Sequence, residues 1–140
     1  EGIDSSPAMV ELANQRAKNE NLQDQCLFRV ARFEEDTIPA PFDAVIALGV
    51  IEYVDDPARF LTMMRKAAKK VIFFSAPRPT LVRSPLRKIR YTVYGCPIHF
   101  FTRRALHNLM QQAGFSAEDI TIQRLTGAGY GVIGRIGHSG

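Results

Sequence analysis

Residues 42–49, FDAVIALG, run almost without a polar side chain once past Asp43, and VIFFSA at 71–76 repeats the pattern. A strand with one wet face alternates polar and apolar residues, so continuous apolarity predicts burial on both faces, as in a parallel sheet covered by helices. Between the two runs a helix is predicted. Asp55-Asp56-Pro57 caps it, Phe60, Leu61, Met64 and Ala68 form its packed stripe, and Lys69-Lys70 suit the negative end of its dipole. Strand, helix and strand in that order point to an α/β chain.

The same alternation continues on both sides. A short apolar run ends at Asp4, Ser6 is placed as an N-cap and Pro7 as the first helical residue, where its missing N–H has no intrahelical partner. The helix is expected from Pro7 to Asn19, with Met9, Leu12, Ala13 and Ala17 on one side. CLFRVA at 26–31 reads as a strand. Thr102 caps a later helix carrying Leu106, Leu109, Met110 and Ala113 and closed by Gly114. ITIQRL (120–125) and YGVIGRI (130–136) are joined by four residues, too few for a crossover helix, so this last pair is predicted antiparallel. At 140 residues and 46% hydrophobic content the chain is expected to bury one core, giving a single domain over 1–140.

Charge is distributed unevenly behind the net +4: from Pro57 to Ala117 there is no Asp or Glu, but there are twelve Lys or Arg. Such a block suits anionic substrates or an anionic membrane surface. The absence of zinc-finger spacing or an aromatic RNA-binding run argues against nucleic acid. Within it, 77–101 combines prolines at 77, 79, 85 and 97 with Arg78, Arg83, Arg87, Lys88 and Arg90. It is too long for an ordinary connector and is expected to be a basic lid or substrate-binding insertion. Its apolar residues, interleaved with the basic ones, fit an apolar acceptor bearing an anionic group. Cys26 and Cys96 match no metal-ligand spacing, no metal site is expected, and free thiols suit a reducing, cytoplasmic setting. No apolar run approaches the ~18 residues of a membrane span.

An acid at the tip of a strand that leads into a helix occupies the ligand edge of an open α/β sheet, where it accepts the hydroxyls of a ribose. Asp4 therefore predicts a nucleoside cofactor, with helix capping as the alternative role.

GIDSSPAMVELA, FDAVIALGVIEYVDDP and CPIHFFTRRALHNLMQQAGF, in this order, resemble the second strand and its helix, the fourth strand and its loop, and a late helix of class I S-adenosylmethionine-dependent methyltransferases. The resemblance covers nearly the full chain. It implies a Rossmann-like open sheet with helices on both faces, an antiparallel last strand and strand order 3-2-1-4-5-7-6. It also implies a first strand and glycine-rich loop, and no segment resembling them precedes Glu1, which suggests an N-terminally truncated, partial domain. Loss of that interior strand would remove two ladders, more than the usual ~5–15 kcal/mol of domain stability absorbs. Either the strand lies upstream or the neighbouring strands pair directly. The short form alone is expected to bind cofactor poorly.

Carried onto this chain, the resemblance implies S-adenosylmethionine as cofactor, Asp4 as its ribose ligand, and Ser5 and Met9 beside the adenosine. Where the family often places an acid for the adenine, this chain has Arg32-Phe33, leaving Glu34 as a substitute or Phe33 as a stacking group. Ala47, Leu48 and Gly49 end the strand whose carbonyls meet the cofactor's ammonium group in the family. Glu52 and Tyr53 fall in the substrate-facing loop; a His commonly follows the Glu in quinone-type O-methyltransferases, and Tyr53 stands there instead. His99 is the other catalytic candidate. The implied function is methyl transfer to a small-molecule acceptor. A nicotinamide-dependent oxidoreductase shares the strand-end acid, but neither Tyr91 nor Tyr94 has a Lys four residues on. A non-catalytic Rossmann-like interaction module is the second alternative.

Overall fold

The computed structural model describes residues 1–35, 41–79, 98–127 and 129–137. The chain forms two compact units, Glu1–Pro39 and Ala40–Gly140.

The first unit is a βαβ element. Strand β1 (Gly2–Asp4), helix α1 (Pro7–Asn19) and strand β2 (Phe28–Val30) follow one another, and β1 pairs with β2 in parallel, Gly2 opposite Phe28 and Asp4 opposite Val30. α1 begins at the predicted Pro7. Its end is set by Asn21 in the left-handed region at φ 57°, which lets Leu22 N–H reach the Ala17 carbonyl at 2.7 Å and Asn21 N–H reach that of Lys18 at 3.2 Å. This is a Schellman ending, with Asn tolerated where glycine is usual. The buried face of α1 differs from the expected one: Val10 and Ala17 are inside, whereas Met9 and Leu12 are 52% and 57% exposed. Val10 and Ala17 lie two turns apart on the side facing the short β1–β2 pair, which is too small to cover a wider stripe.

The second unit is built on a four-stranded sheet in the order β3-β4-β6-β5. β3 (Phe42–Ala47) runs parallel to β4 (Ala68–Pro77), while β6 (Gly129–Arg135) is antiparallel to both β4 and β5 (Ile120–Arg124). The predicted antiparallel last pair is therefore present. Helices α2 (Pro57–Ala67) and α3 (Arg103–Gln112) pack on the sheet and on each other. Both carry the expected caps: Asp56 accepts Arg59 N–H at 3.0 Å and Thr102 accepts Ala105 N–H at 3.2 Å. Their Phe60, Leu61, Met64, Leu106 and Met110 are buried together with Ile72, Phe74 and Val132 of the sheet as the core.

Two expectations are corrected here. Ala68 and Lys69-Lys70 belong to β4, not to the end of α2, whose last turn carries Arg65 and Lys66. The strand starts early because Ala68 pairs with Phe42, Lys70 carbonyl takes Ile136 N–H at 2.8 Å and Lys70 Nζ lies 3.0 Å from Asp43. That ammonium's hydrogen bond and charge, with a smaller contribution from Lys69, hold the exposed Asp43 carboxyl below its ordinary range. Second, β3 is not buried on both faces. Among the described residues it pairs only with β4, and Ala44, Ile46 and Leu48 are exposed, the last two by 64% and 63%. Its apolar pattern demands more cover than one neighbouring strand and α2 supply.

Close approach of α3 to the sheet depends on Gly134. A Cβ there would stand against Met110 Cε and 2.7 Å from Phe115 Cε1. Gly134→Val should therefore cost about 1–3 kcal/mol by overpacking. A lowered midpoint with an unchanged denaturant slope in urea unfolding is the expected result, and an unaltered midpoint would show that the layer gives way freely.

Candidate functional site

The candidate residues fall at strand C-termini in each unit. In the first, Asp4 is exposed at the tip of β1, and its Oδ1 accepts Ser6 N–H at 2.8 Å. Ser6 occupies the N-cap position but makes no side-chain cap bond, so the turn is organised by the carboxylate of Asp4 instead. Among the described residues Oδ2 takes no hydrogen bond, which leaves one oxygen for a ligand. Ser5 and Met9 are exposed beside this turn. At the matching end of β2, Ala31 N–H donates to Asp4 carbonyl at 3.0 Å, so the β2 exit adjoins the acid. Arg32 there is exposed and 3.6 Å from Glu35, while Phe33 is half-buried and Glu34 is exposed.

In the second unit, β3 ends at the buried Ala47, followed by exposed Leu48 and by Gly49. Gly49 adopts φ 65°, a backbone that costs other residues roughly 1–2 kcal/mol. Its N–H donates to Ser75 Oγ at 3.0 Å, and nothing lies within 4 Å of where a Cβ would stand. The turn thus keeps open space over the strand end. Next comes a 3-10 turn, Ile51–Tyr53, pinned by the fully buried Ile51. It carries Glu52 inward, 7% exposed, with Oε2 buried and without a hydrogen-bond partner among the described residues, while Tyr53 remains 36% exposed. An orphaned buried oxygen costs about 1–3 kcal/mol and marks a position waiting for a donor.

Residues 98–101 lace this edge together. His99 N–H donates to Glu52 carbonyl at 2.8 Å, and Phe101 N–H to Pro77 carbonyl at 2.9 Å. The half-buried His99 ring tilts against Phe101, centroids 6.4 Å apart. Glu52, His99 and Gly49 are thus gathered at the C-terminal edge of β3 and β4. Two participants were not singled out as site residues by the sequence reading: Ser75, whose only signal is a polar residue closing an apolar strand, and Arg78, one basic residue among many. The remainder of the expected lid, including Arg83, Arg87, Lys88 and Arg90, lies outside the described residues. Among the described residues no group of three or more His, Cys, Asp or Glu is placed to hold a metal, and no helix is long and apolar enough to cross a membrane.

Each unit thus carries a feature of the C-terminal edge at which open, Rossmann-like α/β sheets bind ligands, a strand-end acid in the first and an open glycine turn in the second. The chain belongs to the methyltransferase-domain family, whose model matches residues 1–120. No curated protein matches the sequence. Among solved structures it is similar to magnesium protoporphyrin IX methyltransferase from Synechocystis, crystallised with SAH, at 19% identity and TM-score 0.73, covering 96% of this chain and 62% of that one. It is also similar to an S-adenosylmethionine-dependent methyltransferase from Mesorhizobium loti (19%, 0.72, 96% and 79%). A third is N,N-8-amino-8-demethyl-D-riboflavin dimethyltransferase from Streptomyces davawensis (21%, 0.70, 95% and 41%). At these identities the likeness is one of fold.

Proposed function

We propose that the protein transfers a methyl group from S-adenosylmethionine to a small-molecule acceptor, one that is apolar and carries an anionic group. The observation that carries this reading is the Asp4 carboxylate: Oδ1 takes Ser6 N–H, which holds the group at the strand tip, and Oδ2 accepts nothing among the described residues. With a lone pair left on Oδ1 and both on Oδ2, the carboxylate can accept both hydroxyls of a ribose diol. In this reading Ser5 and Met9 flank the adenosine, Phe33 stacks on the adenine with Arg32 beside it, and the Ala47, Leu48 and Gly49 strand end receives the ammonium group. The open space over Gly49 fits a close backbone approach.

The cofactor supplies an electrophilic methyl on a sulfonium. The chain's own residues hold the acceptor in line with it, which is where most of the rate enhancement arises. Glu52 would be the base, its Oε2, unpartnered among the described residues, placed to take the proton that the acceptor atom loses on methylation. His99 and Tyr53 line the acceptor. Two of the similar structures are named for a porphyrin and a riboflavin derivative, in keeping with a small-molecule acceptor. A cytoplasmic setting accords with the free Cys26 thiol.

Asp4→Ala should weaken S-adenosylmethionine binding by about 1.5–3 kcal/mol, roughly 10- to 150-fold, as expected for losing charge-assisted hydrogen bonds. Calorimetry decides it, and an unchanged dissociation constant would leave Asp4 as a turn-former only. Titration with a nicotinamide dinucleotide in the same cell tests the oxidoreductase alternative. For the basic segment, changing Arg83, Arg87, Lys88 and Arg90 together to Gln should raise the acceptor KM and weaken binding to anionic vesicles, with cofactor affinity retained. Unchanged kinetics and vesicle binding would reduce the segment to surface.

A further inference from the structure

We propose that Arg78 holds the anionic group of the acceptor, its Nε and one Nη taking the two oxygens of a carboxylate or phosphate. The inference rests on reading the C-terminal edge of β3 and β4 as the acceptor's side. Arg78 is the first residue beyond β4, next to Pro77, whose carbonyl takes Phe101 N–H; the same short segment bonds through His99 to Glu52. The guanidinium is therefore rooted at the edge that carries the buried carboxyl.

Its own hydrogen bonding is incomplete. Among the described residues Nε is buried without a partner, and Nη2 reaches Gly127 carbonyl only at 3.5 Å, the long limit of a hydrogen bond. A guanidinium does not lose its proton, so a dry, unbonded Nε–H is a standing cost that protonation equilibria cannot relieve. Three other arginines among the described residues have carboxylate partners. Arg16, Arg29 and Arg32 lie beside Glu20, Glu1 and Glu35 at 2.9, 2.6 and 3.6 Å. Arg65 also has a buried, unpartnered Nε, but its guanidinium lies 5.6 Å from the Phe115 ring centroid. For Arg78 the described residues offer neither a carboxylate nor a ring, and from Pro57 to Ala117 the sequence contains no acid. No group among the described residues supplies the missing partner, and an anionic ligand would. Nε with an adjacent Nη presents two parallel N–H groups, a match for a planar two-oxygen anion rather than for a neutral hydroxyl.

The test uses the intact protein, with benzoate and phenyl phosphate as probes, benzyl alcohol as the neutral control, and the arginine Nε–H resonances read by NMR. Either anion should shift the Arg78 Nε–H signal, the tighter of the two identifying the acceptor's group, and benzyl alcohol should not. Arg78→Gln should weaken anion binding about 10- to 100-fold. Arg78→Lys, which keeps the charge and loses the fork, should recover only part of it. The proposal is overturned if neither anion moves the resonance, if R78Q binds both as wild type does, if R78K equals wild type, or if S-adenosylmethionine alone produces the shift. Cofactor affinity measured on the same samples separates this from the methyl-transfer reading: a wild-type protein that takes benzoate at Arg78 and no S-adenosylmethionine would defeat that reading and leave the anion site standing.

Discussion

Glu52→Gln should lower kcat by about two to four orders of magnitude while leaving the dissociation constant of S-adenosylmethionine within about twofold, the loss expected when a general base is removed. Gln keeps the size of the side chain and can accept a hydrogen bond but cannot take a proton at neutral pH. Glu52→Leu makes the sharper comparison. The carboxyl is buried, with Oε2 unpartnered among the described residues, so an apolar side chain of similar volume removes a desolvation cost, and the melting temperature should hold or rise. Loss of turnover together with equal or higher stability is the signature of a group retained for chemistry. A kcat that falls only as far as stability falls would make Glu52 part of the packing.

Local rules carried a large part of the fold into the sequence. Pro7, Asp56 and Thr102 announce helix starts because a cap is decided within four residues of itself, and the structure places all three as read. Sheet pairing is decided elsewhere. The junction of α2 and β4 shifted because Phe42, distant in sequence, pairs with Ala68. The exposure of Ile46, Met9 and Leu12 likewise depends on which partners each unit provides, which no periodicity encodes.

The candidate site divides in the same way. Asp4 and Gly49 are visible from strand-end logic and from the family resemblance. Glu52 could be placed in the loop after β3, but its inward turn follows from Ile51 being drawn into the core, a tertiary outcome. Ser75 and Arg78 gain meaning only once β4 is known to run to Pro77 and to end beside the 98–101 segment.

Phe74→Ala and Ser75→Ala, adjacent on β4, should have opposite consequences. Phe74 is fully buried and sits in register between Ala47 of β3 and Val132 of β6. Truncating it leaves a cavity at the centre of the sheet and should cost about 3–5 kcal/mol. Against a total of about 5–15 kcal/mol, this removes a large share of the stability, and at about 4 °C per kcal/mol, between the values for smaller and larger domains, the melt should fall by roughly ten to twenty degrees. Ser75 points to the other face of the strand, because successive side chains alternate. Its loss removes one hydrogen bond, the Gly49 N–H to Oγ contact, worth about 0.5–1.5 kcal/mol, and should lower the melt by only a few degrees. Without that bond the positive-φ turn at Gly49 is no longer fixed, and S-adenosylmethionine should bind several-fold more weakly to S75A. F74A, measured at a temperature where it remains folded, should bind it nearly as wild type does. Thermal melts and calorimetry on the two variants read both effects. If S75A loses as much stability as F74A, the Ser75 bond is part of the framework; if S75A binds S-adenosylmethionine unchanged, the Gly49 turn does not hold the cofactor.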